Sequence, residues 1–198
     1  MGVLDIETLN EARKALLKIN PDIIMYGEGW TGGESTLPES ERGMKINAPR
    51  TPGIGMFSDD IRDAVKGHVF YMDELGFVNG AADRGEELKQ AVTCAKWAKS
   101  PMQSINYLSC HDNYTLWDRF IISNSHESEE MRIRMNKLAA AILFTAQGIP
   151  FFLHGEEFAR TKISEADGAP VENSYCSPLS VNAIDYDRAE QFSDLKAY

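Results

Sequence analysis

The chain has 198 residues, a length that allows one domain with its own core, and it is 43% hydrophobic and 25% charged, as ordinary globular chains are. A net charge of −10 argues against a nucleic-acid groove of clustered Lys and Arg, and no apolar run approaches the roughly 20 residues that cross a bilayer. Cys94, Cys110 and Cys176 are odd in number and scattered, which fits neither a disulfide framework nor a zinc site and points to a reducing, cytoplasmic compartment without fixing it.

The first segment, "DIETLNEARKALLKI", reads as a helix with Asp5 as N-cap and Ile6, Leu9, Leu16 and Ile19 on one face. Asn20-Pro21 ends it. Ile23 to Tyr26 form a short apolar run, expected to be a strand buried on both faces of a parallel sheet. A polar, Gly/Pro-rich loop covers 31–53. "GIGMF" is a second strand and "SDDIRDAVKG" a helix, capped by Ser58 or Asp59 and stopped by Gly67. Residues 68–82 carry little periodic signal. "DRGEELKQAVTCAKWA" starts with a capping-box pattern, Asp83 and Glu86, and places Leu88, Val92 and Ala95 on one face. "SINYLS" is a third strand. In "EEMRIRMNKLAAAILFTAQG" the residues Met131, Met135, Leu138, Ile142 and Ala146 mark a helix ended by Gly148 and Pro150. "IPFFLHG" is a fourth strand, and "DRAEQFSDLKAY" opens another helix.

Alternating strands and helices predict an α/β fold with a parallel sheet, one unit over 1–198. Each strand ends in a polar cluster: Glu28, Ser58-Asp59-Asp60, His111-Asp112-Asn113 and Glu156-Glu157. Such ends line the ligand site of parallel α/β folds, so the four are expected to converge. There is no Gly-rich phosphate loop, no H-E-x-x-H and no G-x-S-x-G. No cofactor or metal is therefore expected; calcium is not readable from paired acids such as Asp59-Asp60.

Glu28 stands at the mouth of the first strand in "IIMYGEGW". Beside Trp30 it would be partly desolvated, which raises a carboxyl's pKa toward the range of a general acid. Gly27 and Gly29 would let a ligand approach the backbone. The plainer alternative is a salt-bridged glutamate. His111, Asp112 and Asn113 together offer donors and acceptors suited to a polyhydroxylated ligand; the alternative is a capping turn. Trp30 and Trp117 are aromatics that could stack on sugars; the alternative for a single aromatic is the core, and only Trp30 has a position that argues otherwise.

With "IIMYGEGW", "FSDDIRDAVKG", "YLSCHDNYTLWDR", "GIPFFLHGEEFARTK" and "NSYCSPLSVNAIDY" in this order, the sequence resembles the C-terminal half of the catalytic barrel of type I pullulanases, debranching enzymes of the α-amylase family of glycoside hydrolases. The resemblance implies strands 5 to 8 of a (β/α)₈ TIM-type barrel, truncated at both ends. It implies hydrolysis of α-1,6-glucosidic bonds with retention, in pullulan, branched dextrins or glycogen. Glu28 then matches the general acid/base, Asp112 the carboxylate that stabilises the transition state, and His111 the histidine that bonds the sugar. Trp30 matches an acceptor-side aromatic, and Asn113 and Asn173 further substrate contacts.

Retaining glycosidases also need a carboxylate nucleophile. In the family it is an aspartate two residues before a Met-Gly pair, which would fall upstream of Met1-Gly2. An α-glucan is the partner the resemblance implies for the parent enzyme, and the 198-residue piece alone is expected not to hydrolyse it. Its bare barrel edges are expected to self-associate. Two other roles are a non-catalytic glucan-binding piece and a half-barrel that assembles with a separately encoded partner half.

Overall fold

A computed structural model describes residues 1–198. Helix α1 (Ile6–Leu17) begins where the Asp5 carboxylate accepts the Thr8 N–H at 2.7 Å, the predicted N-cap. Only Ile6 and Leu9 of its apolar stripe are buried; Ile19 lies beyond the helix and is exposed. Strand β1 (Met25–Gly27) follows, then a crossover that holds two 3-10 turns in place of an α-helix. Next come β2 (Ile54–Ser58), α2 (Asp59–Lys66), α3 (Gly85–Val92) and β3 (Ser104–Asn106). The chain closes with α4 (Leu116–Ser123), α5 (Glu129–Thr145), β4 (Ile149–Pro150), α6 (Leu179–Asn182), α7 (Asp187–Gln191) and α8 (Ser193–Ala197). No helix is long and apolar enough to cross a membrane.

The four strands form one parallel sheet in the order β1-β2-β3-β4, with Met25 opposite Ile54, Met56 opposite Ser104 and Ile105 opposite Ile149. The α/β class and its parallel sheet are as the sequence predicts. The edges depart from prediction. The predicted strand is not buried on both faces: Tyr26 of β1 is 47% exposed and Ile24, just before it, 57%, so the face these two residues share is open. Strand β4 is two residues long rather than seven. Pro150 donates nothing to a ladder, which suits an edge, and the Phe151 N–H still reaches Asn106 O at 2.7 Å.

The inner strands supply the core. Ile54, Met56 and Ile105 are buried, and Ile61, Val65, Leu108, Leu116, Phe120, Ala139 and Leu143 bring α2, α4 and α5 onto the sheet. Each fully buried Leu, Ile or Phe contributes roughly 1.5–3 kcal/mol. The core line of α5 runs through Met135, Ala139 and Leu143, with Met131, Ile142 and Ala146 of the predicted stripe packed against it; of that stripe only Leu138 faces solvent. Trp117 is a core residue, in edge contact with Phe192 at 5.0 Å, and is no platform for a ligand.

The predicted capping box does not form. Asp83 lies inside a 3-10 turn, and Arg84 at the cap position pairs with Glu87 at 2.7 Å. Helix α3 also ends at Val92, because Cys94 takes a positive φ of 94°. The aperiodic stretch that follows α2 is held by Arg119, which is buried and donates to Lys66 O, Tyr71 O and Glu74 O. Gly67 permits this turn: at φ 87° a Cβ there would sit 1.9 Å from Glu74 O.

Candidate active site at the strand ends

Glu28 is the first residue beyond β1. The tail of β3 runs through Tyr107, Leu108 and Ser109, all buried, and surfaces at His111-Asp112-Asn113. There the His111 Nε2 stands 3.3 Å from Asp112 Oδ2 and 3.7 Å from Glu28 Oε1. One imidazole nitrogen thus spans two carboxylates carried by strands that are not neighbours in the sheet. The Glu28 and Asp112 side chains are 38% and 43% exposed. They are open to a ligand and only partly withdrawn from water.

Asn113 adopts a left-handed conformation, φ 59°, which Asn tolerates better than most residues. Its backbone N–H donates to Asn173 Oδ1 at 2.9 Å, joining two predicted contacts sixty residues apart in sequence. Trp30, Asp112, Asn113 and Asn173 all line one open cleft of about 410 Å³. Asp59, Arg62, Phe70, Tyr107 and Cys110 line the rest of its wall. The predicted residues Glu28, Trp30, His111, Asp112, Asn113 and Asn173 are therefore brought together.

Two readings of this region need correction. The glycines beside Glu28 do not leave room for a ligand. A Cβ on Gly29 would lie 2.7 Å from Met56 Sδ and 2.8 Å from Lys45 Cγ, and one on Gly27 would lie 3.1 Å from the Met1 side chain. The chain's own packing has used that space. The fourth strand end also stays out of the cleft. Glu156 is buried, accepts a hydrogen bond from Ser109 Oγ, and borders a separate, more apolar cavity of about 400 Å³ beside α5. Burial pushes its carboxyl up to about 7, against the pull of Ser109 and Lys66. Burial, followed by repulsion from Arg62, pushes the equally buried Lys66 ammonium down to about 8.

Under the cleft, Asp59 accepts from Lys45 at 2.5 Å, pairs with Arg62 at 3.2 Å and accepts the Tyr107 hydroxyl at 3.2 Å. Arg62 donates to the Tyr107 oxygen at 2.6 Å. Burial pushes the Tyr107 phenol well above its ordinary value, so it stays a neutral donor. Asp60 accepts from Trp97 Nε1 at 2.9 Å. Both acids of the pair are thus engaged by protein donors. The spacing of Asp59 and Arg62, three apart on a helix, was a readable signal for this network. Lys45 sits in an aperiodic loop and gave none.

Cys110, His111 and Asp112 offer a sulfur, an imidazole nitrogen and a carboxylate oxygen within 4.8 Å of one another. Burial pushes the Cys110 thiol up, so a metal would have to displace its proton.

The chain is similar over its whole length to known proteins. A pullulanase of Bacillus subtilis (strain 168) is 38% identical over 201 residues, covering 98% of this chain and 27% of that protein. The crystal structure of the Paenibacillus barengoltzii pullulanase in complex with maltohexaose and alpha-cyclodextrin superposes on all of the chain, with a TM-score of 0.90 and 44% identity, over 31% of its own length. That of the Anoxybacillus sp. LM18-11 pullulanase with maltotriose does so with a TM-score of 0.92 and 42% identity, over 27% of its length. The chain spans about a quarter to a third of these relatives. No protein-family model matches it.

Proposed function

Because the whole chain is related to a segment of pullulanases, we propose that it carries the proton-donor part of the active site of a retaining α-glucan debranching hydrolase, a glycoside hydrolase acting on α-1,6-glucosidic bonds. Its four strands would be strands 5 to 8 of a (β/α)₈ barrel, and residues 1–198 a part of that one catalytic unit. An unpaired edge on each side of a four-stranded parallel sheet supports this reading.

The observation that carries the proposal is the bridge made by His111 between Glu28 and Asp112. In the reaction Glu28 protonates the leaving glycosidic oxygen and later takes a proton from water. Asp112 faces the positive charge that develops on the sugar ring. His111 holds the two carboxylates in register and donates to a sugar hydroxyl. Trp30 supplies a flat apolar surface for a sugar face on the acceptor side, and Asn113 and Asn173 supply amide groups for hydroxyls.

A retaining reaction needs a further carboxylate as nucleophile. The other acid that lines the cleft beside Asp112, Asp59, is held by Lys45 and Arg62 and cannot attack. The chain alone would therefore bind glucans without hydrolysing them, with a cytoplasmic compartment and no cofactor as its expected setting.

The test is a chimera in which this chain replaces the matching segment of the P. barengoltzii pullulanase. Pullulan hydrolysis is expected, and Glu28→Gln should reduce it about 10²–10⁴-fold. Hydrolysis untouched by Glu28→Gln would overturn the assignment. A second role, assembly with a partner half, is favoured by the exposed Ile24 and Tyr26 on the open edge of β1.

A further inference from the structure

Lys45 lies in the loop that joins β1 to β2, yet its side chain runs to the centre of the region just described. Its backbone N–H donates to Gly29 O at 2.8 Å. Its stem occupies the space beside the Gly29 Cα, where any Cβ would collide with it. Its ammonium ends 2.5 Å from Asp59 Oδ2, 5.1 Å from the centre of the Trp30 ring and 5.9 Å from that of Trp97. Trp97 is fixed in turn by its bond to Asp60. Asp59 and Asp60 open α2, so one helix start anchors the ammonium and the second indole together.

The physics of this arrangement concerns Trp30. An ammonium is drawn to the negative face of an indole, more strongly as it loses water. The Lys45 side chain is only 19% exposed. Asp59 stops the ammonium from moving with the ring, so the indole is referred to a fixed charge rather than to a mobile side chain. A stacking surface binds a sugar better when it need not be ordered at the moment of binding.

We propose that Lys45 is a positioning residue that sets the angle of Trp30, with Asp59 as its anchor and Trp97 as the second wall of an indole-ammonium-indole sandwich. Its use in binding rests on the reading of Trp30 as a sugar platform. The ammonium stands over the Trp30 ring, so the charge, and not only the stem, is what places the indole.

The test is to follow the three indole N–H signals of the 198-residue chain by ¹⁵N–¹H NMR, assigned with Trp→Phe variants, and to titrate with maltotriose. Lys45→Met keeps an apolar stem and removes the charge. It is expected to shift the Trp30 and Trp97 signals, to leave Trp117 in the core unmoved as evidence of an intact fold, and to weaken maltotriose binding about fivefold. Lys45→Arg should retain the wild-type signals and affinity. A Trp30 signal unmoved by Lys45→Met would overturn the proposal, as would Lys45→Arg behaving like Lys45→Met. Indole shifts as expected in a wild-type chain that binds no maltotriose would leave the positioning role standing and sink the glucan reading instead.

Discussion

His111 Nε2 lies 3.7 Å from Oε1 of Glu28, although one follows β3 and the other β1, with β2 between them. The reach is made by the tail of β3, whose buried Tyr107, Leu108 and Ser109 carry the chain outward before it turns. Removing the imidazole should therefore loosen both carboxylates at once. We expect His111→Ala to weaken maltotriose binding by about 1 kcal/mol, roughly fivefold, by calorimetric titration. Unchanged affinity would separate His111 from the site.

The turn that carries Asn113 should be sensitive to shape more than to polarity. A β-branched residue at φ 59° is strained, so Asn113→Val is expected to destabilise the chain by about 1–2 kcal/mol in urea denaturation. Asn113→Gly should cost less than half of that. Equal losses for the two would show that the left-handed backbone is not the reason for Asn.

Gly29 and its neighbours Gly32 and Gly33 make a sharper contrast. An added methyl at Gly29 meets the buried Met56 and the Lys45 stem, whereas nothing lies within 4 Å at Gly32 or Gly33. Gly29→Ala should cost about 1–3 kcal/mol. Gly32→Ala and Gly33→Ala should be neutral or stabilise by up to about 1 kcal/mol, since they restrict the unfolded chain.

The buried Glu156 makes stability depend on pH in the sense opposite to most carboxylates. Its pKa is 4.5 ordinarily and about 7 in the fold, so between those values the folded chain holds a proton that the unfolded chain has released. Stability must then fall as pH rises through that window, and the full penalty is present above about 7. The decline expected from Glu156 is on the order of 2–3 kcal/mol between pH 5 and 7. Glu156→Gln should flatten it. A variant with the wild-type slope would assign the pH dependence to other groups.

Self-association should follow from the β1 edge, where Ile24 and Tyr26 are exposed next to unpaired backbone. Light scattering is expected to show oligomers that grow with concentration, and Tyr26→Lys should reduce them. A monomer at every concentration in the parent chain would contradict this.

Much of the scaffold was readable in the residues because it rests on local chemistry. The Asp5 cap, the Gly67 stop and the apolar runs of β2 and β3 are decided within a few positions. The clustering of Glu28 with His111, Asp112, Asn113 and Asn173 was legible through motifs and strand ends. What escaped was set by tertiary partners. The exposure of β1 depends on what packs over its face, and Arg84 preferred Glu87 and the carbonyl of Leu75 to a capping box. The burial of Glu156 and the path of Lys45 reflect packing across distant segments, which no local pattern encodes. The glycines around Glu28 were misread for the same reason: their missing side chains make room for Met1, Met56 and Lys45.

The central claim is that Glu28, His111 and Asp112 form a glucan site at the strand ends. Maltotriose titrated into ¹⁵N-labelled chain tests it most directly. The account predicts saturable shifts at the amides of Glu28, Trp30 and residues 111–113, with Asn173 following. Saturable shifts confined to the apolar cavity beside Glu156, or no shifts at millimolar sugar, would contradict it.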